Sequence, residues 1–223
     1  MASDANSVRA EEGGRSPSVS KRVQGDAAAR VAGDLPHLIL ASASPRRREL
    51  LARLGIEPAR IVATDIDETP GKAELPRDYA VRVAREKALA AADSQAHVLA
   101  GDTVVAVGRR ILPKAEDEAT ARACLELLSG RRHRVLSAVA LRAPDGTLRE
   151  RLSETIVRFK RLTPDEIAAY LATGEWRGKA GGYAIQGAAE GLVVWLSGSH
   201  SGVVGLPLFE TRALLVHAGF AVV

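Results

Sequence analysis

The hydrophobic pattern of the chain begins at residue 38. Leu38-Ile39-Leu40-Ala41 is a short apolar run of the kind a buried strand shows. Ser42-Ala43-Ser44-Pro45 follows, and Arg46 to Leu54 then reads as a helix, with Ser44 suited to the N-cap, Pro45 to the first helical position and Gly55 to the left-handed residue past the end. A second helix is expected from about Arg77 to Ala92, because Ala80, Val83, Ala84, Ala88 and Ala91 share one face. The strand His97 to Val107 comes next, then a helix from Asp117 to Leu128 that Gly130 ends. Arg134 to Leu141 and Leu148 to Phe159 alternate in period two about Pro144-Asp145-Gly146, which predicts an antiparallel hairpin. Thr163-Pro164-Asp165-Glu166 is a capping box that opens a helix closed by Gly174. A glycine-rich segment from Gly178 to Gly187, an apolar strand from Leu192 to Leu196 and a helix from Leu208 to His217 complete the chain.

These elements add up to one α/β domain, a mixed twisted sheet flanked by helices, over residues 36–223. Residues 1–35 are rich in Ser, Gly, Ala and charge without either periodicity, and are expected to be a disordered N-terminal tail.

Composition sharpens this picture in four places. Hydrophobic residues make up 46% of the 223, yet aromatics only 4%, so the core should be aliphatic, as suits an α/β fold. The single cysteine, Cys124, excludes an intrachain disulfide and a multi-cysteine zinc site, and reads as a small buried hydrophobe. No apolar run approaches the roughly 20 residues of a membrane span, and the N-terminus lacks the order of a signal peptide, so a cytoplasmic protein without membrane contact is expected. The formal charge of +4 suits an anionic ligand, but the basic run Arg46-Arg47-Arg48 stands without stacking aromatics, so a nucleic-acid partner is not expected.

Four places carry candidate chemistry. Ser42, Ser44 and Arg46 to Arg48 cluster where a buried strand feeds a helix, and three cations in a first helical turn oppose the helix dipole, so an anion such as phosphate would compensate them. Lys87 falls on the apolar face of its helix and therefore points inward. Asp102 lies in Val98-Leu99-Ala100-Gly101-Asp102-Thr103-Val104-Val105, where an ionised carboxylate is costly unless it caps, pairs with a base or binds a metal. The loop Thr64 to Pro70 offers Asp65, Asp67 and Glu68 as hard oxygen ligands for magnesium or manganese, against the reading of Asp65 and Asp67 as a solvated turn. Histidine pairing of a zinc helix and a Gly-x-x-x-x-Gly-Lys-Ser/Thr phosphate loop are both missing.

Ala41-Ser42-Ala43-Ser44-Pro45-Arg46-Arg47, Ala84-Arg85-Glu86-Lys87-Ala88, Gly101-Asp102-Thr103-Val104-Val105, Leu128-Ser129-Gly130, Lys179 to Gly187 and Val204-Gly205-Leu206-Pro207-Leu208 resemble, in order and spacing, the Maf family of nucleotide pyrophosphatases. The resemblance implies a fold similar to inosine triphosphate pyrophosphatases, with a cleft between two lobes. It also implies hydrolysis of a nucleoside triphosphate to the monophosphate and pyrophosphate with a divalent cation, which would keep non-standard nucleotides out of nucleic acids.

By the same resemblance Asp102 is the catalytic base, and Ser42, Arg46, Arg47, Glu68, Lys87, Lys114 and Gln186 line the nucleotide cleft. Asp102 and Glu68 would hold the metal. Arg46, Thr103 and Gln186 look like the dTTP/UTP branch rather than the branch preferring 7-methyl-GTP. Ala115, Gly178 and His200 depart from the family pattern, where proline, aspartate and tyrosine are common; the first concerns the backbone only, and the other two leave a broader substrate range open. A non-enzymatic nucleotide-binding regulator of septum formation is the competing reading, and homodimer formation is left open.

Overall fold

Two facing rows of small apolar residues, one on a helix and one on a strand, set the frame of the molecule. In the computed structural model, which describes residues 37–223, helix α2 (Pro76–Ala90) buries Ala80, Val83, Ala84 and Ala88 against Val98, Ala100, Val104 and Ala106 of strand β3 (His97–Val107). The expected tail, residues 1–35, lies outside the described residues. Small side chains on both rows let helix and sheet approach closely. Each row is broken once by a charge, Lys87 on the helix and Asp102 on the strand.

Strand β1 (Leu38–Ala41) runs parallel to β3 and to the short β2 (Arg60–Ile61). On the other side of β3 the sheet is antiparallel through β6 (Arg132–Arg142), β7 (Leu148–Phe159) and β9 (Val193–Ser197), in the order β2-β1-β3-β6-β7-β9. Strand β4 (Arg110–Leu112) folds back on the end of β3. Alternation along β1 sends Ile39 and Ala41 to the α2 side. Leu38 and Leu40 go to the opposite side, where α1 (Pro45–Ala52) and α6 (Leu208–His217) supply Leu50, Leu51, Leu214 and Leu215. Burial on both faces explains why this strand reads as a continuous apolar run. A third cluster, around Val135, Val157 and Phe159, packs α3 (Glu118–Leu128) and α4 (Pro164–Ala172) at the far end of the sheet.

The main helices, the long hairpin and the mixed sheet follow the sequence pattern; α4 begins at its expected cap, Thr163, and Asp117, expected as the first residue of α3, caps it instead. Four features differ. Ser44 occupies the N-cap of α1 but its side chain makes no capping bond; its amide instead donates to Ser42 Oγ at 3.2 Å. The apolar stretch near Leu192 is a 3-10 turn (Ala188–Leu192) followed by β9, an outer strand whose Val194 and Trp195 face solvent, so its apolar run does not mean burial. A two-residue ladder joins β5 (Lys114–Ala115) to β8 (Lys179–Ala180), and a short helix, α5 (His200–Val204), precedes the last loop; neither is long enough to show a period.

Candidate active site

The site lies where the sheet leaves an edge of β3 uncovered. On that edge β1 pairs with His97–Ala100 and β4 with Val105–Val107, so among the described residues no strand neighbours Gly101 to Val104 there. A cleft of about 420 Å³ opens there, at the C-terminal end of β1 and the start of α1, the place where open α/β sheets keep their ligand sites. All nine residues that the family resemblance assigns to the site line it: Ser42, Arg46, Arg47, Glu68, Lys87, Asp102, Thr103, Lys114 and Gln186.

At its centre Lys87 Nζ lies 2.9 Å from Asp102 Oδ1 and 2.8 Å from Glu68 Oε1, and Lys114 Nζ lies 2.7 Å from Glu68 Oε2. Asp102 and Lys87 are 4% and 7% exposed, so the Asp102 charge depends on Lys87, whereas Lys87 has Glu68 as a second partner. Burial pushes the Glu68 carboxyl up, but hydrogen bonds from Lys114 and Lys87 together outweigh it and hold the group at about 2. Glu68 reaches the cleft because its loop is tied to α2: Tyr79 Oη donates to the Glu68 carbonyl at 2.7 Å, and Arg82 donates to the Thr69 carbonyl and to Glu74. Asp65 and Asp67 face solvent, and Asp67 accepts the Thr69 amide in a tight turn. Two carboxylates and two ammonium groups thus leave this centre with no net charge.

The three arginines of α1 divide their tasks. Arg48 points outward to Glu57. Arg47 spends its fork on the protein, with Nε donating to the Gly205 carbonyl at 2.8 Å and an Nη donating to Ser42 Oγ at 3.0 Å; burial lowers its pKa, with Asp102 acting in the opposite direction. Thr103 is likewise engaged, its hydroxyl 3.0 Å from Ser137 Oγ and 3.4 Å from the Gly205 carbonyl. Arg46 faces the cleft without a carboxylate within ion-pair distance among the described residues.

Across from it stand two cations that single-residue reasoning passed over, Arg177 and Lys179. Lys179 has its pKa lowered by burial and then by Arg46, and its ammonium donates to the Arg177 carbonyl at 2.8 Å. Their place is set by the β5–β8 ladder, in which Lys114 pairs with Ala180 and Ala115 with Lys179. Gly181 and Gly182 continue the segment in left-handed backbone; a Cβ on Gly181 would sit 2.8 Å from Val105, so only glycine lets it pass this close to β3. Gln186, at the end of this segment, exposes its amide to the cleft.

Glu68 and Asp102 converge on one ammonium, a pair of hard oxygen donors. Among the described residues no group of three or more His, Cys, Asp or Glu side chains is placed to hold a metal ion. A pair of carboxylates fits magnesium or manganese shared with substrate phosphate oxygens, and does not fit an all-protein cage. No described helix is long and apolar enough to cross a membrane.

Comparison with known proteins places this geometry in a family. A dTTP/UTP pyrophosphatase of Novosphingobium aromaticivorans is 72% identical over 189 residues, covering 84% of this chain and 94% of the relative. A dTTP/UTP pyrophosphatase of Rhodospirillum rubrum is 65% identical over 185 residues, covering 82% and 88%. Among solved structures, a nucleoside-triphosphatase / dITP/XTP pyrophosphatase from Mycobacterium abscessus aligns at TM-score 0.38 and 20% identity, covering 62% of this chain and 92% of that one, a likeness that carries no weight for the site. Residues 37–218 match the family described as Maf-like protein, and the chain belongs to that family.

Proposed function

We propose that the protein hydrolyses a nucleoside triphosphate, dTTP or UTP by preference, to the nucleoside monophosphate and pyrophosphate, and that it does so in the cytoplasm with a divalent cation. The observation that carries this reading is Asp102, a buried carboxylate in a cationic cleft at the mouth of an α/β sheet. The relatives named above, both dTTP/UTP pyrophosphatases, support the substrate.

The cleft's cations divide into two sets with different work. Lys87 and Lys114 neutralise Asp102 and Glu68. Arg46, Lys179 and Arg177 carry the positive charge that remains, and they would take the β and γ phosphates through charge-assisted hydrogen bonds. Bound in this way, the substrate would have its α phosphorus near Asp102. Lys87 engages Oδ1 of this carboxylate, which leaves Oδ2 to accept a proton from water. The water oxygen attacks the α phosphorus, the bond from that phosphorus to the bridging oxygen breaks, and pyrophosphate leaves toward Arg46 and Lys179, which stabilise its charge. A magnesium or manganese ion held by Glu68 and Asp102 would neutralise phosphate charge and acidify bound water.

Arg47 and Ser42 act from behind. They fix the backbone at Gly205 and the start of α1, which keeps Arg46 in place. Gln186 presents a donor and an acceptor side by side, a match for the adjacent carbonyl and imide N–H of uracil or thymine.

Pyrophosphate release from a panel of nucleoside triphosphates with magnesium, manganese or cobalt tests the reading. dTTP and UTP should lead the panel. Turnover of none of the triphosphates with any of the metals would overturn it.

A further inference from the structure

Gln186 sits on a turn held from behind at two points spaced evenly about it. The backbone N–H of Ala184, two residues before it, donates to Tyr170 Oη at 3.0 Å. The backbone N–H of Ala188, two residues after it, donates to Glu175 Oε2 at 2.8 Å. Both acceptors come from one stretch of chain, Tyr170 in the last turn of α4 and Glu175 in the turn that follows. Neither side chain lines the cleft.

That stretch is itself anchored. Trp176, next to Glu175, is 1% exposed and donates its indole N–H to the Leu171 carbonyl at 2.8 Å. The start of α4 is closed by the reciprocal cap between Thr163 and Glu166. Glu175 therefore stands on a rigid base. Its carboxylate also fills the volume that a side chain at position 187 would occupy. Gln186 is thus carried between two peptide groups that are held from behind.

We propose that Glu175 and Tyr170 are positioning residues for base recognition: together they fix the backbone from Ala184 to Ala188 so that the Gln186 amide meets the nucleobase in one orientation. The proposal rests on the reading of Gln186 as the group that meets the base. An exposed glutamine has several rotatable bonds, and a carboxamide discriminates between a donor and an acceptor only when its backbone is held. The Glu175 bond is charge-assisted and so the stronger of the two supports. Because both residues act through the turn and touch no phosphate, their loss should fall on base binding and leave the chemistry at Asp102 intact.

The test is steady-state kinetics with UTP and CTP on the wild type and on Glu175→Ala, Glu175→Gln and Tyr170→Phe, with thermal melting of each. Glu175→Ala should raise KM for UTP by roughly tenfold, the size that losing one charge-assisted hydrogen bond carries. It should leave kcat near wild type and shrink the UTP-to-CTP ratio of kcat/KM. Glu175→Gln should restore most of the loss, because its amide oxygen still accepts from Ala188. Tyr170→Phe keeps the ring in the core, moves KM in the same direction, and carries the test alone if Glu175→Ala does not fold. Folded variants with wild-type KM and ratio would overturn the proposal, as would an equal fall in kcat for both nucleotides. A wild-type chain that turns over neither UTP nor dTTP would overturn the functional reading, a result distinct from failure of the variants alone.

Discussion

Lys87 and Asp102 meet at 2.9 Å across the interface of α2 and β3, each the single charge in an otherwise apolar row. Both rows would pack without them, so the pair is retained at a cost in desolvation that a hydrophobic replacement would avoid. Glu68 joins the same ammonium from a loop, which makes Lys87 the link between helix, strand and loop at the floor of the cleft.

Lys87→Met keeps the length of the side chain and removes its charge, leaving Asp102 buried without a partner. Breaking a buried pair in this way costs about 3–5 kcal/mol, so the melting temperature should drop by many degrees. Adding Asp102→Asn to this variant should recover a large part of the loss. A Lys87→Met chain that melts with the wild type would show that Asp102 is solvated or protonated there.

Arg46 and Arg47 are neighbours with opposite predicted behaviour. Arg47→Lys cannot reproduce the fork that reaches both the Gly205 carbonyl and Ser42, and should lower stability by about 1–3 kcal/mol together with activity. Arg46→Lys should melt like the wild type and show a raised KM for the nucleotide. Equal effects on melting from both substitutions would erase the distinction.

Much of this site was legible in the sequence because periodicity reports which way a side chain points. The inward direction of Lys87 and the burial of Asp102 both follow from counting along a helix and a strand. What counting could not show is that the two meet. On its own Asp102 reads as a carboxylate in need of a partner, and the partner depends on how α2 is set against the sheet. The three arginines looked equivalent from spacing, whereas packing assigns Arg47 to Gly205 and Arg48 to Glu57. Nothing in the sequence assigns Lys179 and Arg177 to the cleft, because the β5–β8 ladder that brings them there is two residues long on each side and carries no period. The apolar strand expected from Leu192 to Leu196 does form, as β9, and only its place at the outside of the sheet, which exposes Val194 and Trp195, could not be counted from the sequence.

Removal of the divalent cation should separate activity from folding. Lys87 and Lys114 already neutralise Glu68 and Asp102, so a chelator should abolish turnover while leaving the melting temperature of the nucleotide-free protein nearly unchanged. A large fall in melting temperature on chelation would point to a structural metal instead.

His133 predicts a pH window for stability. It is 2% exposed, its Nε2 lies 2.8 Å from Tyr183 Oη, its Nδ1 has no partner among the described residues, and burial lowers its pKa from 6.5 to about 4. The unfolded chain therefore binds a proton near pH 6.5 that the folded chain refuses until about 4. Stability should be full above pH 6.5, fall as pH drops between these values by about 3 kcal/mol, and gain no further loss from this group below. Glu68 adds a second, lower window between 4.5 and about 2. Denaturant melts from pH 8 to pH 4 on the wild type and His133→Gln would read the first window. Unchanged pH dependence in the variant would rule His133 out as its source.

The most direct measurement is on Asp102→Asn, made as a pair: pyrophosphate release from dTTP or UTP with magnesium, and thermal melting without nucleotide. Asparagine keeps the volume and an oxygen for Lys87, which also retains Glu68 at 2.8 Å, so the fold should survive with little change in melting temperature. Turnover should fall by about 10² to 10⁴, the range that loss of a general base spans, and further if a metal ligand is lost with it. A variant that melts normally and keeps most of the wild-type turnover would contradict the assignment of Asp102 as the base and, with it, the proposed reaction at this cleft.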